Sequence, residues 1–93
     1  MTTLFAFHEV ENGDHWRAAW HGGPGSRQEM FGQIGATTRI FRDPERPNVT
    51  GVLIEVPDMD QFQSLMASDE GAQAMKEDRL KVETMRMLSE ITP

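Results

Sequence analysis

Three groups of residues could do chemistry: a histidine inside an apolar run, a pair of tryptophans, and two further histidines beside a glycine-rich break. His8 alternates with Leu4, Ala6 and Val10 along residues 3–10, so it shares a strand face with apolar side chains. A neutral imidazole on such a buried surface could act as general base toward a phenol or an enol, which makes His8 the candidate catalytic residue. The plainer reading is a core histidine whose nitrogens are satisfied by neighbours, and its surroundings decide between the two. Trp16 and Trp20, at helical spacing with Ala19, could wall a planar ligand, although the same spacing anchors an amphipathic helix to a core. With Phe41, these residues form the candidate ligand-binding set: His8, Trp16, Trp20 and Phe41.

A metal centre is not expected, and neither is a cofactor. His15 and His21 are separated by about 240° around a helix, so they point to different sides. There is no cysteine, which removes thiolate catalysis, disulfides, iron-sulfur clusters and Cys-type zinc sites. His21-Gly22-Gly23-Pro24 resembles an esterase oxyanion loop, but no Gly-x-Ser-x-Gly nucleophile accompanies it. Gly23-Pro24-Gly25-Ser26 lacks the lysine of a phosphate loop. A helix break that could gate a cavity is the better account. Arg39, Arg42, Glu55 and Glu83 are expected to meet across strands or across a dimer interface, as surface pairs without a mechanism. A carboxylate facing His8 would matter more, because it would raise the imidazole's basicity.

The elements that must position these groups are legible in the pattern. Residues 3–10 are apolar on both faces, as in a central strand. Asn12 or Asp14 caps a helix bearing Trp16 and Trp20. Ser26 and Glu29 make a capping box before Met30, Phe31 and Ile34, and Gly35 ends that helix. Residues 36–43 and 49–56 form a hairpin around Pro44 and Pro47. Asp58 and Gln61 cap a third helix carrying Phe62, Leu65 and Met66, and Ser68 restarts it toward Ala72 and Met75. Residues 81–88 alternate as the last strand, with Val82, Thr84, Arg86 and Leu88 on one side and Glu83, Met85 and Met87 on the other. The two methionines are assigned to packing between subunits. Strand, broken helix, strand, strand, broken helix, strand predicts an α+β domain: a four-stranded antiparallel sheet with its helices on one face.

Bulk composition adds a partner. The 93 residues suit one domain, with an accessible surface of about 5,400 Å² once folded. Leu, Ile, Val and Phe are thin, and seven Met and two Trp supply part of the apolar volume. A sheet apolar on both faces but covered on one is completed most simply by a second copy, so a homodimer is expected. A net charge of −6 argues against nucleic acid. No apolar stretch nears the roughly eighteen residues of a membrane span. The absence of a basic leader and of cysteine makes the cytoplasm the expected location.

Three stretches carry a resemblance. They are His8-Glu9-Val10 with Asp14-His15-Trp16-Arg17 and Trp20; Ile40-Phe41-Arg42-Asp43-Pro44 through Pro47-Asn48 to Val52-Leu53-Ile54-Glu55; and Leu65-Met66-Ala67-Ser68-Asp69-Glu70 leading to Met75. Together they resemble the dimeric α+β barrel superfamily, the ferredoxin-like group that includes antibiotic-biosynthesis-monooxygenase-like bacterial proteins. The resemblance implies a homodimer with a small cavity per subunit between sheet and helices, holding an apolar or aromatic molecule. It also implies an alternative in which His8 serves a cofactor-independent oxygenase or polyketide cyclase. A third reading is a structural or regulatory dimer with no cavity and a hydrogen-bonded His8. The glycine-rich break and the charged residues 77–81 depart from the group's usual pattern.

Overall fold

The computed structural model describes residues 1–21 and 23–92, so Gly22 of the glycine-rich break and the terminal Pro93 lie outside the described residues. The chain runs β1 (Thr2–Val10), α1 (Gly13–Trp20), α2 (Arg27–Gly32), β2 (Thr37–Arg42), β3 (Val49–Val56), α3 (Met59–Ala67), α4 (Asp69–Glu77) and β4 (Leu80–Ser89). The strands form one antiparallel sheet in the order β2-β3-β1-β4. This is the architecture that the sequence pattern predicts.

Each helix starts where a side chain satisfies its free N–H groups. Asn12 accepts from the N–H of Asp14 and His15, and Asp58 accepts from Asp60 and Gln61. Ser68 ends α3 and begins α4, its hydroxyl taking the Gly71 N–H at 3.1 Å. A methyl at Gly71 would collide with the Leu65 carbonyl oxygen at 2.3 Å, so glycine permits this close turn between helices. Gly35, with φ of 75°, is the left-handed residue behind α2.

Register separates the sheet into two unlike faces. Toward the helices, Ile40, Val52 and Ala6 form one cross-strand row with Met87, and Ile54 stands beside Leu4. These residues pack with Val10, Trp16, Trp20, Phe31 and Phe62 into the core. On the other face the rows read Arg39, Leu53, Phe5, Leu88 and Phe41, Gly51, Phe7, Arg86, with no helix or further strand among the described residues over them. Phe7 and Phe41 are about two-fifths exposed and Leu88 is 60% exposed. The chain's accessible surface is 6036 Å², above the roughly 5,400 Å² of an average folded chain this size. No helix among the described residues is long and apolar enough to cross a membrane.

Candidate functional site

His8 lies on the helix-covered face, in a cross-strand row with Thr50 and Arg42. The Thr50 hydroxyl donates to the His8 carbonyl oxygen at 2.9 Å, which fixes the backbone there. On its other side the ladder breaks. Phe7 pairs with Arg86 and Glu9 with Lys81, so His8 alone on β1 stands opposite residues 82–85 of β4. Thr84 closes this bulge: its hydroxyl accepts from the Glu9 N–H at 2.9 Å and donates to the Lys81 carbonyl at 2.6 Å. A bulge re-aims side chains and interrupts pairing, and this one lies beside the most chemically distinctive residue of the sheet. The regular alternation predicted for residues 81–88 is corrected accordingly. Met85 and Met87 line the cavity described next.

A cavity of about 60 Å³ lies between sheet and helices. His8, Trp16 and Trp20 line it together with Met30, Met66, Met75, Met85 and Met87. The imidazole meets the Trp16 ring edge-on, centroids 5.7 Å apart and planes at 70°. From there aromatic contacts continue through Trp20 at 6.0 Å, Phe31 at 5.5 Å and Phe62 at 6.2 Å. Trp16 is 1% exposed, so it is core and cavity wall at once.

Three nitrogens in this wall are buried without a hydrogen-bond partner among the described residues: His8 Nδ1 and Nε2, and Trp20 Nε1. An unmet buried polar atom costs about 1–3 kcal/mol, so three near one cavity call for an explanation. Burial without a compensating charge pushes the His8 pKa from 6.5 to about 4, leaving the ring neutral at ordinary pH. No carboxylate among the described residues hydrogen-bonds to it.

The cavity lining also holds a largely buried ion pair that the sequence did not announce. Arg27 Nε donates to both Asp78 carboxylate oxygens, at 3.1 and 3.0 Å. Both residues also line the cavity. Burial pushes the Asp78 carboxyl above its usual range, opposed by the hydrogen bond and charge of Arg27. The two are 51 residues apart, and no local pattern links a residue just past one cap to one just past a helix end.

Phe41 is not brought to His8. Ile40 points inward on β2, so Phe41 points to the bare face, where it meets Phe5 at 5.8 Å and lies under the Arg39 guanidinium at 5.8 Å. The expected cross-strand charge pairs also differ. Arg42 reaches Asp14 at 2.9 Å, and no ion pair joins Arg39 or Arg42 to Glu55 or Glu83 among the described residues. No cluster of three or more His, Asp or Glu side chains able to hold a metal ion occurs among them either.

The whole chain superposes on solved structures of similar size. One is an antibiotic biosynthesis monooxygenase, with a TM-score of 0.74 at 12% identity, covering 100% of this chain and 99% of that one. A Deinococcus radiodurans protein provisionally given the same designation matches with a TM-score of 0.71 at 12% identity, covering 100% and 93%. A third, from Bacteroides thetaiotaomicron, matches at 0.69 and 14%, covering 99% and 88%. The fold is the ferredoxin-like α+β fold of that group. No protein-family model matches the chain, and no curated protein matches it in sequence. At these identities the ferredoxin-like likeness concerns architecture, and chemistry has to be argued from the cavity itself.

Proposed function

We propose that this protein is a homodimeric ferredoxin-like α+β barrel that binds a small, mostly apolar or aromatic molecule bearing a hydrogen-bonding oxygen. The observation that carries this reading is the set of unpartnered nitrogens on His8 and Trp20 in an otherwise greasy, aromatic and methionine-rich wall. A ligand hydroxyl could donate to the unprotonated imidazole nitrogen, and a ligand oxygen could accept from the indole N–H. A purely structural role would be supported by a hydrogen-bonded histidine, whereas no protein group among the described residues bonds this ring. The cavity's 60 Å³ is well under the roughly 150 Å³ that accommodates benzene, so binding requires the wall to yield. Five methionines make that plausible, since an unbranched thioether changes rotamer at little cost.

The homodimer reading is supported by the bare face, whose Phe5, Phe7, Phe41, Leu53 and Leu88 are apolar side chains of four adjacent strands. The surface in excess of an average chain supports an isologous sheet-to-sheet contact.

Catalysis is the second reading, favoured by the neutral imidazole at the cavity. Magnitude weighs against a simple phenol substrate: a base of pKa about 4 faces a phenol near 10, a gap of roughly 8 kcal/mol. His8 as general base therefore suits only a far more acidic enol. Thermal-shift and NMR titrations with p-cresol and its methyl ether, on the parent chain and on His8→Leu, test the binding reading. The phenol is expected to bind more tightly than the ether, with the difference lost in the variant. No binding of either compound would sink it, and identical preferences in both proteins would remove His8 from the site.

A further inference from the structure

Arg27 is a charged side chain in an apolar lining, and it belongs to two spaces. With Asp78 it borders the His8 cavity, and the same two residues border a polar groove of about 540 Å³ on the outer side, with His15, Lys76, Glu77 and Arg79. The guanidinium is only partly engaged. Its Nε holds Asp78, its Nη2 is 3.5 Å from the Ala74 carbonyl and 3.6 Å from the Glu77 carboxylate, and its Nη1 makes no hydrogen bond among the described residues. A guanidinium offers five N–H donors in a planar fork, so donors remain for another acceptor.

The groove's charge points the same way. Arg27, Lys76 and Arg79 face Glu77 and Asp78, an excess of one cation, on a chain whose net charge is −6. His15 does not compete for an anion with both nitrogens, because its Nε2 is 2.8 Å from the Glu77 carbonyl oxygen. A monoanion placed here balances the site, and a carboxylate fits the fork of an arginine.

We propose that cavity and groove are two ends of one ligand site, which takes an aromatic or similarly apolar carboxylate with its ring toward His8 and its carboxylate on Arg27. The proposal rests on the ligand-binding reading above and adds the anionic group. Asp78 is then the competitor for Arg27. Because burial already disfavours its charged form, it can take up a proton when a second carboxylate arrives.

The test is calorimetric titration of 4-hydroxyphenylacetate and its neutral amide, which share a shape and differ in charge, into the parent chain, Asp78→Asn and Arg27→Gln. The acid is expected to bind about tenfold more tightly than the amide in the parent, the difference one charged hydrogen bond makes. Asp78→Asn should strengthen acid binding severalfold and leave the amide unchanged. Arg27→Gln should erase the preference. Equal affinities in the parent would overturn the anionic site while leaving ligand binding intact, and no binding of either compound would overturn both. If Arg27→Gln fails to fold, Asp78→Asn decides: an unchanged acid-to-amide ratio overturns the proposal.

Discussion

The two faces of the sheet are built from the same four strands and obey opposite rules. Toward the helices Leu4, Ala6, His8, Val10, Val52 and Ile54 are buried, and that burial holds the His8 ring neutral. On the other face comparable side chains stand in open rows, and the contacts there are local. Phe5 lies across Gly51, where an added methyl would come within 2.5 Å of the ring. The contrast shows that apolar alternation specifies a strand's two sides but not what covers them. The helices cover one, and the other stays open in the single chain.

Substitutions on the two faces should therefore fail differently. Trp16→Ala, at the centre of the covered face, is expected to cost about 3–5 kcal/mol in urea unfolding, the range for a buried large-to-small change. A cost under about 1 kcal/mol would show that the cavity wall is not part of the core. His8→Leu tests the same face through pH. The native ring binds its proton only near pH 4, whereas the unfolded one does so near 6.5, so acid favours the unfolded chain. Stability should fall by about 3 kcal/mol between those values for this residue alone. The raised Asp78 acts oppositely, since its buried charge is relieved as pH falls, so the difference between parent and His8→Leu is the quantity to measure. A pH profile that the substitution leaves unaltered would mean that His8 is already solvated or paired.

The bare face should respond in association rather than in folding. Phe7→Glu with Leu88→Lys is expected to weaken the dimer by about 2 kcal/mol or more, giving monomers at micromolar concentration by sedimentation. An undisturbed dimer would place the interface elsewhere, and a parent that is monomeric there would remove it. The smallest effect is expected at the joint between α3 and α4. Ser68→Ala loses the cap of the helix that carries Met75 over the cavity, at about 1 kcal/mol in thermal unfolding. Equal loss of stability and of p-cresol binding would tie that helix to the ligand, whereas loss of stability alone would confine it to the scaffold.

Much of this was legible beforehand, and the site was legible only in part. Capping residues and glycines act within a few positions of themselves, so Asn12, Ser26, Gly35, Asp58 and Ser68 marked the element boundaries without reference to the remainder of the chain. Period-two alternation likewise assigned Leu4, Ala6, His8 and Val10 to one face. Phe41 stands apart from His8 because its neighbour Ile40 took the inward position, and a one-residue difference reverses a strand side chain.

By itself, then, the sequence determined the order of the elements, their ends, and a histidine among apolar neighbours, because these depend on short-range periodicity and local hydrogen bonding. Tertiary structure alone decided that β4 bulges beside that histidine, that its nitrogens find no partner among the described residues, and that Arg27 meets Asp78 across the fold. Those features depend on distances between segments far apart in the chain, and only packing sets such distances.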